Sequence, residues 1–229
     1  MNKEFEIHQD VELPATPEQV WRAVTDDAAA WMFPTGDWRT FVKLEEFPTH
    51  LVTRMEGPDG WFNQLEHQLS EGPQSTFLRY VHSGIFVDDW DNQYDGASKH
   101  TEFYLHTLGQ YLAHFNGQPV TFSDIQGPNA ATASNALDVF LSSLGLENAK
   151  EGESHSVNLP GTGLTELVVD FRTENFVGLR TSAALIRIFG RNAFGQRVGL
   201  TVHDFAPDAD AEENTNLWQQ AINEAYARN

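Results

Sequence analysis

A rhythm of short, period-two runs, separated by turn residues and closed by one long stretch of helical spacing, leaves few folds open to this chain. Phe5, Ile7, Gln9, Val11 and Leu13 alternate with mostly polar residues, the pattern of a half-buried strand. Pro14-Ala15-Thr16-Pro17-Glu18 breaks it. Thr16 can cap a helix, Pro17 suits its first position, and Gln19 three residues after Thr16 completes a capping box. Val20, Trp21 and Val24 continue at helical spacing, and a short second helix is expected through Ala28–Trp31. Four strand-like runs follow, Trp38–Glu45, Thr49–Met55, Phe62–Leu69 and Thr76–His82, with turns at Gly57-Pro58-Asp59-Gly60 and Glu71-Gly72-Pro73. Their even spacing predicts an antiparallel meander.

An acidic loop, Asp88-Asp89-Trp90-Asp91, then leads into a helix predicted from about Ala97 to Phe115. Phe103, Tyr104, Leu108, Tyr111, Leu112 and Phe115 make its apolar face, and Asn116-Gly117 ends it. A curved antiparallel sheet with one apolar face needs a cover, and this long amphipathic helix supplies one.

The second half repeats that order loosely. Val120–Ile125 reads as a strand and Gly127-Pro128-Asn129 as a break. Thr132–Leu144 reads as a helix, and the runs Ser154–Leu159, Leu164–Arg172, Phe176–Thr181, Ala184–Phe189 and Val198–Phe205 as strands. The acidic segment 208–213 precedes a closing helix through Leu217, Trp218, Ala221, Ile222 and Ala225, with acids placed to complement the helix dipole. Tyr80-Val81-His82 and Thr201-Val202-His203 each fall at the end of a last strand. One enlarged domain stays open, but the repeated order favours two units, 1–117 and 118–229.

The opening Glu6-Ile7-His8-Gln9-Asp10-Val11-Glu12-Leu13-Pro14-Ala15-Thr16-Pro17-Glu18-Gln19-Val20-Trp21 resembles the start of SRPBCC proteins. That superfamily includes START domains, birch-pollen-allergen-like proteins, polyketide cyclases and homologues of the activator of the heat-shock-protein-90 ATPase. Thr101-Glu102-Phe103-Tyr104-Leu105-His106-Thr107-Leu108-Gly109-Gln110-Tyr111-Leu112 resembles the closing helix of the activator-like branch. Together these cover about residues 3–117. The resemblance implies an α+β helix-grip fold, a curved antiparallel sheet wrapped on a long C-terminal helix, with a cavity between them. Residues 118–229 match only as a looser second, tandem unit. The superfamily contains carriers, receptors, cyclases and co-chaperones, so the fold alone selects no function.

Composition narrows the functions instead. The 229 residues carry 33 Asp and Glu against 14 Lys and Arg, a formal charge of −19, with the basic residues scattered. Phosphate backbones and anionic bilayers would be repelled, so neither nucleic acid nor a membrane is an expected partner. The absence of cysteine removes disulfides, thiolate zinc sites and a cysteine nucleophile. Met1–Glu6 holds no apolar run of signal-peptide type and no window reaches ~18 consecutive apolar residues, so a cytoplasmic location is the expectation.

The candidate ligand site is aromatic: Trp31, Phe33, Trp38, Trp61, Phe103, Tyr104 and Tyr111. Trp38, Thr40, Val42 and Leu44 are expected on one strand face, and Trp61, Asn63, Leu65 and His67 on another. If those faces look toward the helix they line an apolar pocket with a few polar anchors; ordinary core packing is the competing account. Arg79, flanked by Phe77 and Val81, would be a buried anchor if it faced inward, and a shift of one residue would turn it to solvent.

Other motifs fail. Asp91-Asn92-Gln93-Tyr94-Asp95-Gly96 with Glu102 approaches a calcium loop, but Gln93, Ser98 and Lys99 depart from it, and a solvated helix-start loop fits better. His100, His106 and His114 are spaced six and eight apart, not four, so no metal is expected. Gly161-Thr162-Gly163 reads as a turn. No cofactor is implied. The favoured expectation is a non-catalytic protein binding a hydrophobic small molecule or lipid. A chaperone-associated accessory protein, or a cyclase-, aromatase- or hydrolase-like enzyme using cavity His, Arg or Tyr as proton donors, are the alternatives.

Overall fold

The alternation of the first segment is realised as strand β1 (Lys3–Leu13), in which Phe5, Ile7 and Leu13 are buried. The computed structural model describes residues 3–86 and 90–227, and divides into two compact units, Met1–Gly117 and Gln118–Asn229.

In the first unit, β1 leads into α1 (Pro17–Val24) through the expected capping box. The Thr16 amide donates to Gln19 Oε1 at 2.9 Å, and the Gln19 amide donates to Thr16 Oγ1 at 3.4 Å. Thr16→Ala should therefore cost about 1 kcal/mol, read as a lower denaturant midpoint; an unchanged midpoint would show that the cap contributes nothing. Two short 3₁₀ turns follow, at Ala28–Ala30 and Trp38–Phe41.

The meander is β2 (Val42–Glu46), β3 (His50–Glu56), β4 (Phe62–Glu71) and β5 (Thr76–Phe86), before α2 (Trp90–His114). All pairings are antiparallel, in the order β1-β5-β4-β3-β2, so the last strand pairs with the first. The register sets Thr53, Leu65, His82 and Ile7 in one cross-strand row and Leu51, His67, Tyr80 and Gln9 in the next. Gly84 is needed where it stands: a Cβ there would lie 2.7 Å from the Phe62 carbonyl oxygen and 2.9 Å from the Phe5 ring. Helix α2 lies over this inner face, with Phe103, Leu105, Leu108, Tyr111 and Leu112 buried and Gln9 Nε2 donating to the Ser98 carbonyl at 3.4 Å.

Three sequence expectations need correction here. The strand expected from Trp38 begins only at Val42, because Asp37 accepts a hydrogen bond from the Arg39 amide and winds 38–41 into a 3₁₀ turn. Trp38 and Thr40 therefore do not share a strand face with Val42. Helix α2 starts at Trp90, not Ala97, and carries Gly96 in its interior; Tyr94 hydroxyl on the Glu6 carbonyl (3.4 Å) and the Lys99–Asp95 pair (3.0 Å) support the added turns. The calcium-loop-like segment is thus helical, while Asp88-Asp89 and the Asp91 and Asn92 side chains lie outside the described residues. Finally, β5 runs four residues past His82.

The second unit follows the same plan with one more strand. Its elements are β6 (Thr121–Gln126), a 3₁₀ turn at Asn129–Thr132, α3 (Ala136–Ser143), β7 (Ser154–Leu159), β8 (Gly163–Arg172), β9 (Phe176–Arg180), β10 (Ala184–Phe189), a 3₁₀ turn at Arg191–Phe194, β11 (Gly199–Asp204) and α4 (Ala211–Ala227). The sheet order is β6-β11-β10-β9-β8-β7, again with first strand beside last. Ile125, Leu179, Ile186, Ile188, Leu200 and Val202 pack with Phe140 and Leu141 of α3 and Trp218 and Ile222 of α4.

The Tyr80-Val81-His82 and Thr201-Val202-His203 match is one of strand position and not of facing. Both triplets lie on the strand that pairs with the first. In the first unit Tyr80 and His82 face the helix side, whereas in the second it is Val202 that joins the helix-side core. The architecture repeats; the facing of the triplet does not.

Candidate functional site

A cavity of about 430 Å³ lies in the first unit, between the inner face of the sheet and the first half of α2. Strand alternation builds one wall: Leu51, Thr53 and Met55 from β3, Asn63, Leu65 and His67 from β4, Tyr80 and His82 from β5. Helical spacing builds the opposite one, because Ala97, His100, Thr101 and Tyr104 recur at three and four residues and so share one face of α2.

The segment after α1 closes a third side with Trp31, Met32, Phe33, Trp38 and Phe41. Two of these rings are fixed by their N–H groups: Trp31 Nε1 donates to the Ala23 carbonyl at 2.8 Å and Trp38 Nε1 to Asp26 Oδ1 at 3.0 Å. Phe33, 46% exposed, and Phe41, 38% exposed, mark the side that opens to solvent. Phe33 meets the edge of Tyr104 at 6.1 Å between ring centroids.

The polar groups sit on the sheet wall. Burial pulls the His67 imidazole down to about 4, against a smaller opposing pull from Glu66, and burial likewise lowers His82 to about 4. Both are neutral at pH 7. Burial also pushes the Tyr80 hydroxyl well above its ordinary range. His82 Nε2 lies 3.1 Å from Asn63 Oδ1, and the His67 and Tyr80 rings meet edge to face at 5.2 Å. His67 Nδ1 is buried and has no hydrogen-bond partner among the described residues.

Five expected site residues, Trp31, Phe33, Trp38, His67 and Tyr104, line this cavity. Four do not. Trp61 precedes β4 and packs on the turn at Gly57, where a Cβ would be 3.0 Å from its ring. Arg79 pairs in register with Asp10 and Gln68 and is exposed beside Phe77, itself 46% exposed, on the outer face of the sheet. Phe103 is fully buried in the core. Tyr111 is also buried; its hydroxyl donates to Asp27 Oδ2 (3.2 Å) and accepts from the Gly117 amide (3.1 Å). Tyr80 and His82, which also line the wall, were not among the expected site residues. The spacing of Ala97, His100, Thr101 and Tyr104, all within the helix expected from Ala97, was a usable signal for this wall.

Among the described residues no group of three His, Asp or Glu could hold a metal ion, and no helix is long and apolar enough to cross a membrane. What the cavity can do chemically is enclose an apolar body and offer it neutral hydrogen-bonding groups.

Fold and site together define a tandem α+β helix-grip protein with a cavity under the grip helix of its first unit. No family model matches the chain, and no curated protein matches it. Among solved structures it is similar to DynU16, a protein of the dynemicin biosynthetic locus, at 16% identity and a TM-score of 0.38 over 97% of this chain and 96% of that one. It is also similar to MLL2253 from Mesorhizobium loti (19%, TM-score 0.42), with 48% of this chain matching 98% of that one. A third similar structure is the Aha1 dimer from Colwellia psychrerythraea (18%, TM-score 0.37), where 47% of this chain matches 96% of that one.

Proposed function

We propose that residues 1–117 form a non-catalytic binding domain for a hydrophobic small molecule, held between the sheet and α2, and that residues 118–229 form a second, divergent unit. One observation carries this reading: a cavity of about 430 Å³ whose wall is mainly aromatic and aliphatic, with a short row of neutral polar groups. That is the composition of small-molecule pockets, which span roughly 300–1,000 Å³. The volume favours a compact molecule over a two-tailed lipid. In the second unit the helix side of the sheet is filled by Phe140, Leu141, Trp218 and Ile222, which supports assigning the binding role to the first.

The test is titration of the full chain with Nile red, an uncharged apolar dye. Wild type should show one saturable site, and Leu65→Trp, which fills the cavity from β4, should weaken it by about tenfold or more, a loss of ~1.4 kcal/mol, with an unaltered circular dichroism spectrum. Equal dye binding by a folded Leu65→Trp variant would sink the proposal.

A further inference from the structure

We infer that the cavity selects an uncharged ligand, a compact ring-bearing molecule whose hydroxyl or carbonyl group meets His67, and rejects a carboxylate of the same shape. The inference rests on the binding reading above and adds the chemical class of the ligand.

The charge inventory of the wall is the first support. The chain has 33 Asp and Glu, yet among the described residues none of them lines the cavity. The permanently charged lining residue is Arg54, at the rim, and its charge is already engaged. Its Nε donates to Glu56 Oε1 at 3.0 Å, its Nη1 donates to Gln64 Oε1 at 3.3 Å, and its guanidinium lies 3.8 Å over the Phe62 ring. Those three partners extend away from Thr53 and Leu65, because neighbouring residues of a strand face opposite sides. An ionised ligand group, of either sign, would enter the interior without a counter-charge, and transfer from water is then heavily opposed.

The second support is the group left waiting. His67 is 5% exposed, lines the cavity, and its Nδ1 has no hydrogen-bond partner among the described residues. A neutral imidazole presents one N–H donor and one lone-pair acceptor. A hydroxyl can meet either and a carbonyl can meet the donor, so an uncharged oxygen satisfies His67 without an ion to desolvate. Tyr80, directly opposite His67 in register, and the His82–Asn63 pair one row on extend the same neutral polar strip. The third histidine of the wall, His100, has its Nδ1 2.7 Å from the Gly96 carbonyl, inside its own helix. The aromatic rings of Trp31, Trp38 and Tyr104 then face the ring body of the ligand.

The experiment displaces Nile red from the full chain at pH 7 with three probes of one shape: 2-naphthol, naphthalene and 2-naphthoate. The expected order is naphthol tightest and naphthoate weakest, with naphthol ahead of naphthalene by roughly tenfold from the added hydrogen bond. In His67→Leu, with each probe read against that variant's own Nile red titration, the naphthol-to-naphthalene gap should shrink to about threefold or less. Naphthoate binding as tightly as naphthol overturns the inference, and needs no variant to be seen. So does a gap that survives in a folded His67→Leu protein. If Nile red binds and no probe displaces it, the ligand class is wrong and the cavity reading stands; if Nile red does not bind either, both fall.

Discussion

Asp170→Ala is expected to destabilise the second unit by about 3–5 kcal/mol, the cost of breaking a buried ion pair from one side. Asp170 Oδ1 accepts from Arg187 Nη1 at 2.6 Å and Oδ2 accepts from Nη2 at 3.0 Å, with the side chains 3% and 1% exposed. The pair bridges β8 and β10 across β9, and the strand between them carries Gly178 opposite Arg187. That glycine is a steric requirement: a Cβ at Gly178 would overlap both Arg187 Nη1 and Asp170 Oδ1. Loss of the carboxylate takes both charge-assisted bonds from a guanidinium that water cannot reach. Amide hydrogen exchange in β9 and β10 should accelerate by about 10²–10³ or more in the variant. Replacing both members, Asp170→Met with Arg187→Leu, should recover most of the loss, because a packed apolar pair needs no desolvation of ions. A single-variant loss below about 1 kcal/mol would show that this pair contributes as weakly as a surface one.

The second large effect is acid sensitivity in the first unit. His67 and His82 are held near 4 by burial, below the ordinary imidazole value of 6.5. A histidine whose folded value is depressed takes up a proton more readily when unfolded. Its contribution is therefore complete above pH 6.5 and is lost as pH falls toward 4, by about 3 kcal/mol for each histidine. Denaturant midpoints measured from pH 7.5 to 4 should fall steeply across that window. Replacing both histidines by glutamine should flatten the fall; an equally steep fall in the double variant would place its origin elsewhere. The depressed carboxylates among the described residues, exposed Glu18, Glu56 and Glu153 and part-buried Glu66, act below pH 4.5.

How much of this was legible depended on how many independent signals each segment carried. The start of α1 was readable because three signals coincide at Thr16, Pro17 and Gln19, and each has a local cause. Ser154–Leu159 and Ala184–Phe189 form strands over those same residues. The run Phe77-Leu78-Arg79-Tyr80-Val81-His82 was not readable in the same way. It has apolar residues at both parities, so alternation cannot say which side is inner. Pairing decides it: Leu78, Tyr80 and His82 stand opposite Val11, Gln9 and Ile7, and that puts Arg79 in solvent. Helix α2 failed for another reason. Gly96 and its acidic neighbours are local stop signals, costing about 1 kcal/mol at the glycine, and contacts from residues distant in sequence outweigh them.

By itself the sequence determined the element order, the caps and turns, the helix-grip plan of the first unit and the acidic, cysteine-free composition. Each follows from a residue and its near neighbours, or from a sum over the chain. The tertiary structure alone decided which parity of β5 faces inward, that Trp61, Arg79, Phe103 and Tyr111 lie off the cavity, and that His67 lines it with no partner for Nδ1 among the described residues. A cavity is the space that several elements fail to fill together. Its walls come from β3, β4, β5, α2 and the segment after α1, so no single stretch of sequence holds it.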